Sequence, residues 1–370
     1  MPERHAPSLD ILALEPYCGG SHAEFLDGLK RHSRHRIRVV AQPPRKWKWR
    51  MRAAALTMAD DLPKGERPDA LLCSDFLDLA CFKGLRPGFA AIPAVAYFHE
   101  NQLTYPLQDE SLRDYQYGFT NITTCLVADR VIFNSRFHRD EFLSAIPAFF
   151  RRAPRPRPQG AAERIAEKAE ALWPGIDLER FDQARADARS ARRGPLTILW
   201  SHRWEFDKAP EAFFRVLFSL ADEGAEFRVC LLGQSFRDSP PVFAKAVARL
   251  GGRIAHEGFV ESREEYARLV AGCDVFVSTA IHEFFGMAAA EAMAAGCCPL
   301  LPDRLAYPEL LEACGARERL YEDEADLARR LRRYAENPAE ARRVDLRPRM
   351  DGFSQRRAAE GFDRIVEALV

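Results

Sequence analysis

Several features of exported and membrane proteins are missing from this sequence. It contains no run of the roughly 18–20 apolar residues that a membrane-spanning helix needs, and its N-terminus lacks the basic-then-apolar pattern of a signal peptide. Its nine cysteines are scattered and never spaced as CxxC. This spacing excludes a disulfide framework and the usual structural zinc site. We therefore expect a cytoplasmic protein with no integral membrane association.

A net charge is also absent, because Lys and Arg together number 54 and Asp and Glu together number 54. The whole molecule therefore exerts no long-range attraction on nucleic acid or on an anionic membrane, and any such binding must come from a local patch. At 370 residues the chain is longer than one hydrophobic core usually serves. We expect two domains.

Short apolar segments alternate with amphipathic segments of helix length in both halves of the chain. The predicted buried strands are residues 10–15, 37–41, 70–73, 94–98 and 130–134 in the first half and 195–201, 227–233, 253–259, 274–278 and 298–301 in the second. This alternation predicts an α/β fold with two doubly wound, Rossmann-like domains. We place them at residues 1–172 and 173–352, with a last helix at 353–370 packing back on one domain, the N-terminal one preferred.

Two glutamates eight positions apart, Glu283 and Glu291, lie in the sequence HEFFGMAAAEAMAAGC. Glu283 precedes a strongly helix-forming stretch that contains Glu291, so one carboxylate can meet a sugar and the other a ribose. The first N–H groups of such a helix favour an anion, for example a diphosphate. A solvated helix with a dipole-favoured charge is the alternative. The donor contacts predicted from this turn are Phe284, Phe285, Gly286 and Met287.

A second polar segment, SHRWEFDK, follows the first strand of the same half. Its Arg203 and Lys208 can neutralise a diphosphate without a metal, since Arg offers a planar fork of donors and Lys a compact charge. A solvated pair of surface cations is the alternative. The ends of two further strands can hold a nucleotide base, although plain turns fit them equally well, and the residues concerned are Gly233, Gln234, Gly258 and Phe259.

In the N-terminal half, LEPYCGGSH places Gly19 and Gly20 after a strand, where backbone can approach a ligand. We expect these glycines to meet the donor, with Ser21 capping the next helix. In YFHENQLTYP, His99 follows a strand and can hold the sugar or accept a proton, although a lone histidine is more often structural. The acceptor contacts predicted around these two segments are Ser21, His22, Glu100, Asn101, Gln102 and Asn134, the last of which can also be a simple helix cap.

Residues 30–52 contain ten Lys or Arg and no acidic residue, and the core of this run is RKWKWRMR. Cations meet phosphates and indoles stack on bases, so an RNA acceptor fits the composition. A membrane-surface helix and an ordinary solvated face are the alternatives. The acceptor contacts predicted here are Lys46, Trp47, Lys48, Trp49 and Arg50.

With the two glutamates, the Arg203 and Lys208 pair and WPGID in view, residues 172–312 resemble the retaining GT-B glycosyltransferases of family four. The segments LEPYCGGSH, PRKWKWRMRAAAL, FHENQLTYP and FNSRFH resemble the tRNA-queuosine mannosyltransferases. The proline-rich stretch RRAPRPRP matches neither. The resemblance implies two Rossmann-like domains facing a central cleft.

The resemblance also implies transfer of mannose from GDP-mannose to the cyclopentenediol of queuosine in tRNA, without a metal or other cofactor. Glu283 would touch the sugar, Glu291 the ribose, and Arg203 and Lys208 the diphosphate, with His99 beside the reacting carbon. Two alternatives of other classes stay open. One is a glycosyltransferase acting on a lipid or a small metabolite, and the other is a non-catalytic RNA-binding relative.

Overall fold

The computed structural model describes residues 8–188, 192–236 and 239–370. Contacts divide the chain into a first unit, formed by residues 1–175 and 353–370, and a second unit, Ile176–Gly352. The described part of each unit contains a six-stranded sheet with parallel strand pairing.

The first unit is built from strands that each lead into a helix. Its strands are β1 (Asp10–Glu15), β2 (Arg36–Ala41), β3 (Ala70–Ser74), β4 (Ala94–Phe98), β5 (Arg130–Phe133) and β6 (Ala169–Ala171), in the order β2-β1-β3-β4-β5-β6. Its helices are α1 (Ser21–His32), α2 (Trp47–Asp61), α3 (Leu79–Leu85), α4 (Tyr115–Val127), α5 (Arg136–Arg151) and α6 (Ala161–Ala166). All residues of β3 and β4 are buried, as expected for strands covered by helices on both faces.

The second unit repeats this plan. Its strands are β7 (Leu196–Ser201), β8 (Phe227–Leu232), β9 (Ile254–Gly258), β10 (Val275–Val277), β11 (Cys298–Pro302) and β12 (Leu320–Tyr321), in the order β12-β11-β10-β7-β8-β9. Its helices are α7 (Leu178–Ala188), α8 (Pro210–Asp222), α9 (Val242–Leu250), α10 (Arg263–Ala271), α11 (Met287–Ala294), α12 (Tyr307–Ala313), α13 (Glu324–Glu336) and α14 (Pro338–Arg342). A separate aromatic core around Trp200 fills this unit.

The last helix, α15 (Gln355–Glu367), belongs to the first unit and packs on α1. The Asp363 carboxylate accepts hydrogen bonds from Ser33 Oγ at 2.6 Å and from the Arg34 N–H at 3.0 Å. The chain enters this contact through a stack of Trp173 on Phe353, whose ring centroids lie 4.1 Å apart. The end of the chain thereby completes the core of its first unit.

Every strand predicted from the sequence coincides with an observed strand to within one residue at either end. The α/β, doubly wound prediction is confirmed. The short strands β6 and β12 are not predicted, because two or three residues cannot display a periodic pattern.

Candidate active site

A buried lysine connects two carboxylates beyond the carboxyl end of β7. Lys208 is only 7% exposed, and its Nζ lies 3.0 Å from Asp207 Oδ2 and 3.5 Å from Glu283 Oε2. The same Nζ donates a hydrogen bond of 2.8 Å to the carbonyl oxygen of His282. The predicted residues Lys208 and Glu283 are thus brought together, and Lys208 positions the loop that carries Glu283.

The charge of this cluster is fixed over the physiological range. Burial alone would raise the pKa of Glu283, but Lys208 and the neighbouring dipoles outweigh it and lower the pKa to about 2. Burial, reinforced by Lys208, lowers the pKa of His202 to about 3 and that of His282 to about 4. Glu283 is therefore anionic and both imidazoles are neutral at pH 7. His202 Nε2 is buried and has no hydrogen-bond partner among the described residues.

The turn before α11 differs in one respect from the sequence prediction. Glu283 Oε1 accepts the N–H of Phe284 at 3.2 Å, and its carboxylate also accepts the N–H of Phe285. Both phenylalanine side chains are buried, with 4% exposure each. The Phe285 N–H, one of the backbone donors predicted for the anion, is therefore bonded to Glu283 here, and the donor contacts of Phe284 and Phe285 stay predictions. Gly286 and Met287 keep N–H groups that donate to no other described residue.

Glu291 lies inside α11 as predicted and is 5% exposed. Two residues of α10 orient it: Arg263 Nη2 lies 2.5 Å from Oε1, and Tyr266 Oη donates to Oε2 at 2.9 Å. Tyr266 Oη in turn lies 3.1 Å from Ser201 Oγ at the end of β7. Neither α10 residue is predicted from the sequence, because only the fold brings α10 beside α11.

The ends of the next strands carry the other predicted donor residues. Gly233 has φ of +141°, and a Cβ there would lie 1.8 Å from the carbonyl oxygen of His202, so only glycine fits. Its N–H donates to the Gly258 carbonyl, and the Gln234 carbonyl accepts the Trp204 N–H. These bonds tie the ends of β7, β8 and β9 together. The exposed side chains among these predicted residues are Gln234, Phe259, which is 64% exposed, and Arg203, which lies 3.2 Å from Glu205.

A buried carboxylate and histidine pair lies at the carboxyl edge of the first sheet. Glu15, the last residue of β1, accepts a hydrogen bond from Ser74 Oγ at 2.9 Å on one oxygen, and His22 Nδ1 lies 3.0 Å from the other. The rings of His22 and His99 lie 4.0 Å apart, centroid to centroid. His99 is buried. Its backbone N–H donates to Asp75 Oδ1, and its ring Nδ1 has no hydrogen-bond partner among the described residues.

The two histidines have opposite pKa shifts. Burial alone would lower the pKa of His22, but Glu15, Asp75 and Glu100 raise it to about 9. Burial and the neighbouring His22 lower the pKa of His99 well below its usual value. His22 is therefore a cation at pH 7 and His99 a neutral imidazole. Burial also raises the pKa of Asp75 to about 8, although His22 opposes the shift.

The loop after His99 uses much of its polarity internally. Asn101 is fully buried, and its Oδ1 accepts the N–H groups of Leu103 and Thr104, so it forms a turn, and its acceptor contact stays a prediction. Gln102 Nε2 donates to Glu100 Oε1 at 3.1 Å. Asn134 Nδ2 donates to the His99 carbonyl at 2.8 Å, so Asn134 holds the loop in place from the end of β5.

The glycine turn after β1 also differs from expectation. Gly20, with φ of +52°, occupies the N-cap of α1, and Ser21 is the first helical residue, so the prediction that Ser21 caps the helix is wrong. A Cβ on Gly19 would lie 2.6 Å from two carbons of Pro44. Gly19 is therefore required by packing against the loop before α2.

The basic run of residues 30–52 spans the end of α1, all of β2 and the first turn of α2. Trp47 is partly buried and packs against Phe76 and Tyr117, and its acceptor contact stays a prediction. Trp49 is 72% exposed, and Lys46 and Lys48 are exposed beside it. Arg50 donates to Gln42 Oε1 at 3.0 Å. The α2 helix thus packs Trp47 against other aromatic rings and leaves Trp49 in solvent, although both lie in the same RKWKWRMR run.

None of the helices in the part of the chain that the structure describes combines the length and apolar character that crossing a bilayer requires. Within residues 8–188, 192–236 and 239–370, no group of three or more His, Cys, Asp or Glu has the arrangement of a metal site.

Comparison with known proteins matches both halves of the chain. Residues 10–176 match the family described as tRNA-queuosine alpha-mannosyltransferase N-terminal, and residues 182–349 match glycosyl transferases group 1. Among solved structures, sucrose-phosphate synthase from Thermosynechococcus elongatus superposes with a TM-score of 0.72 at 18% identity, covering 97% of this chain and 99% of that one. The two parallel sheets and these matches define a glycosyltransferase of the GT-B fold.

The relatives narrow this class. A tRNA-queuosine alpha-mannosyltransferase of Drosophila melanogaster is 35% identical over 334 residues, which cover 89% of this chain and 87% of the relative. A GDP-mannose-dependent alpha-(1-6)-phosphatidylinositol dimannoside mannosyltransferase of Mycobacterium tuberculosis is 27% identical over 98% of this chain and 92% of its own length. The chain belongs to the tRNA-queuosine alpha-mannosyltransferase family.

Proposed function

We propose that this enzyme transfers mannose from GDP-mannose to the cyclopentenediol of queuosine in tRNA, with retention of configuration at the sugar. The observation that carries the donor half is the buried Lys208 and Glu283 pair before α11. The acceptor is supported by the name of the Drosophila relative, and GDP-mannose by that of the Mycobacterium relative.

In this proposal the second unit binds the donor. The Glu283 carboxylate accepts hydrogen bonds from the mannose hydroxyls, and Glu291, oriented by Arg263 and Tyr266, accepts from the ribose. The N–H groups of Gly286 and Met287 lie at the start of a helix, where a diphosphate is favoured. Lys208, with its ammonium bound to two carboxylates and a carbonyl, contributes chiefly by holding Glu283 in place.

In this proposal, contacts to the nucleotide base and further contacts to the diphosphate come from the other residues at the carboxyl ends of the second unit's strands. Arg203 is about half exposed and can turn its guanidinium toward the diphosphate. Phe259 offers an exposed ring on which a base can stack, beside the backbone of Gln234 and Gly258. The diphosphate charge is then met by Arg203 and by backbone donors, so we expect no divalent metal to be needed.

The reaction breaks the bond between the mannose anomeric carbon and the diphosphate oxygen and forms a bond from the same carbon to an acceptor hydroxyl oxygen. The hydroxyl proton leaves with GDP, because Glu283, with a pKa of about 2, is too weak a base to remove it. His99 is neutral, and its Nδ1 can accept a hydrogen bond from a substrate hydroxyl. His22 supplies a fixed positive charge beside it.

The donor assignment is tested by thermal unfolding with nucleotide sugars. A ligand at about 100 times its dissociation constant stabilises a protein by roughly 2.7 kcal/mol. GDP-mannose and GDP should raise the melting temperature, and UDP-glucose should not. A response to UDP-glucose alone would contradict the donor.

The acceptor assignment is tested by incubating the enzyme with GDP-[14C]mannose and two tRNA preparations, one carrying queuosine and one carrying guanine at that position. Label should enter only the queuosine tRNA, and EDTA should leave the rate unchanged. Equal labelling of both, or labelling of a lipid extract instead, would overturn the acceptor. Loss of activity on EDTA, restored by magnesium, would overturn the metal-independent donor site.

A further inference from the structure

A proline- and arginine-rich segment, residues 151–157, has no part in the site described above. It begins at the end of α5 and contains four arginines: Arg151, Arg152, Arg155 and Arg157. Among the described residues none of the four forms an ion pair with a carboxylate, and the first three are exposed. Of the four, only Arg152 has a described electrostatic interaction with a carboxylate, that of Glu110, so the segment is a local concentration of positive charge on a molecule with no net charge.

The segment is attached to the first turn of α4. Arg152 Nη1 donates to Tyr115 Oη at 3.1 Å, and its guanidinium carbon lies 5.6 Å from the centre of the Tyr115 ring. The Tyr115 and Phe149 rings pack edge to face at 5.9 Å. These contacts fix the start of the segment while Arg151 and Arg155 extend into solvent.

The same turn of α4 contacts the basic first turns of α2. Asp114, the N-cap of α4, lies 3.5 Å from Arg52 Nη2, and the Arg52 guanidinium carbon lies 5.0 Å from the ring centre of Tyr117. The exposed Trp49 and Lys48 belong to the first turn of α2. Two basic segments far apart in sequence therefore both contact the start of α4.

The residue before the N-cap of α4 contacts the loop that follows His99. Arg113, next to Asp114, donates from Nη1 to the Gln102 carbonyl at 3.2 Å and from Nη2 to the Tyr105 carbonyl at 2.8 Å. The Arg113 guanidinium therefore bridges the loop beside the buried histidines to the turn that carries Tyr115. Arg113 also binds both carboxylate oxygens of Glu110, so its role is to hold this loop in place.

We propose that residues 151–157 form a binding surface for the RNA backbone, continuous with Lys46, Lys48 and Trp49, that holds phosphates of nucleotides flanking the acceptor nucleotide. This rests on the proposed tRNA acceptor. Arginine binds phosphate oxygens through a planar fork of donors, and proline keeps the segment from closing into a helix or a strand. The exposed Trp49 indole adds a stacking surface for a base. An exposed ring between cations is characteristic of single-stranded RNA sites rather than of a purely electrostatic membrane contact.

The test uses the full-length protein and an unmodified tRNA transcript, so that binding is measured without the transfer reaction. The variant Arg151→Ala with Arg155→Ala removes the two arginines whose side chains form no hydrogen bond, ion pair or ring contact among the described residues. Its matched control is Arg67→Ala with Arg356→Ala, two exposed arginines of the same unit, in the loop before β3 and on α15, that form no described ion pair with a carboxylate and lie outside the basic run of residues 30–52. Both double variants remove the same charge. Melting temperatures confirm that each is folded.

We expect the Arg151 and Arg155 variant to bind the transcript more weakly, on the order of tenfold at low salt. The slope of log K against log salt should become shallower by roughly 1.4 to 1.8, since each phosphate contact contributes about 0.7 to 0.9. The control should keep the wild-type slope, and Arg151→Lys with Arg155→Lys should keep most of it.

Failure of this proposal is distinguishable from failure of the proposed function. An unchanged salt slope in the Arg151 and Arg155 variant, with mannose still transferred to queuosine tRNA, would overturn the RNA surface alone. Loss of binding to vesicles of phosphatidylcholine and phosphatidylglycerol, with tRNA binding intact, would assign the segment to a membrane and also overturn it. Absence of transfer and of tRNA binding in the wild-type enzyme would instead overturn the proposed acceptor.

Discussion

At the carboxyl edge of each sheet, a buried charge is stabilised by a partner of opposite charge. The signs of the two charges are reversed between the two units. In the second unit a buried cation, Lys208, holds the anion Glu283, whereas in the first unit a buried anion, Glu15, holds the cation His22. The pKa of Glu283 is lowered to about 2, far from neutrality, and that of His22 is raised to about 9. The charge of Glu283 in the second unit is therefore insensitive to pH near neutrality, and His22 in the first unit carries the charge that titrates in the mildly alkaline range.

The largest effect is expected for Lys208→Ala. Removing one partner of a buried ion pair typically costs about 3–5 kcal/mol, and turnover should fall by about 100-fold or more because Glu283 loses its position. Chemical unfolding and steady-state rates measure the two effects. Adding Glu283→Gln to this variant should restore part of the stability and none of the turnover. Restored turnover in the double variant would contradict the positioning role.

Gly233→Ala should be nearly as damaging, and only on the donor side. The added methyl would lie 1.8 Å from the His202 carbonyl oxygen, so the ends of β7 and β8 must separate. We expect loss of GDP-mannose binding, measured by calorimetry, with tRNA binding unchanged. Gly252→Ala is the matched control, because nothing lies within 4 Å of its added Cβ. Equal affinities in the two variants would contradict the assignment of this strand end to the donor.

Arg203→Ala should reduce turnover at least about tenfold while leaving the free energy of unfolding within about 0.5 kcal/mol of wild type. The side chain is half exposed, so its loss leaves no buried charge behind. Comparison with Lys208→Ala separates a cation that meets the diphosphate from one that positions Glu283. Similar loss of stability in both variants would remove that distinction.

The last prediction concerns the pH dependence of stability, which comes from the Glu15 and His22 pair of the first unit. The pKa of His22 is raised above its unfolded value of about 6.5, so its contribution is fully present below that pH and is lost as pH rises through about 9. The shift corresponds to about 3 kcal/mol. NMR titration should find the His22 imidazole still protonated at pH 8, and Glu15→Gln should lower its midpoint toward 6.5. A titration midpoint near pH 6.5 for His22 in the wild type would contradict the ion pair between Glu15 and His22.

The sequence allows the strands and the placement of Glu283 before α11 and of Glu291 within it to be predicted, because apolar runs and residue spacing are local properties of the chain. It does not allow their partners to be predicted. Tyr266 reaches Glu291 only after α10 and α11 have packed together.

In the first unit, too, the partner of a buried charged residue could not be predicted from the sequence. Glu15 reaches His22 only where β1 and α1 meet at the sheet edge. The tryptophans show a related limit, since the RKWKWRMR run alone gives no reason to bury Trp47 and expose Trp49. The positions of the two residues around the axis of α2, together with the position of Phe76, determine which tryptophan packs and which is exposed. Contacts between elements, rather than the elements themselves, therefore had to come from the structure.

The most direct test of the account is nucleoside analysis by mass spectrometry after queuosine tRNA is incubated with GDP-mannose and the enzyme. The account predicts that queuosine is converted to a nucleoside one hexose heavier, with the sugar in the alpha configuration, by the wild type and at least about 100-fold more slowly by Lys208→Ala. Unchanged queuosine, a beta-linked product, or equal conversion with UDP-glucose in place of GDP-mannose would contradict it.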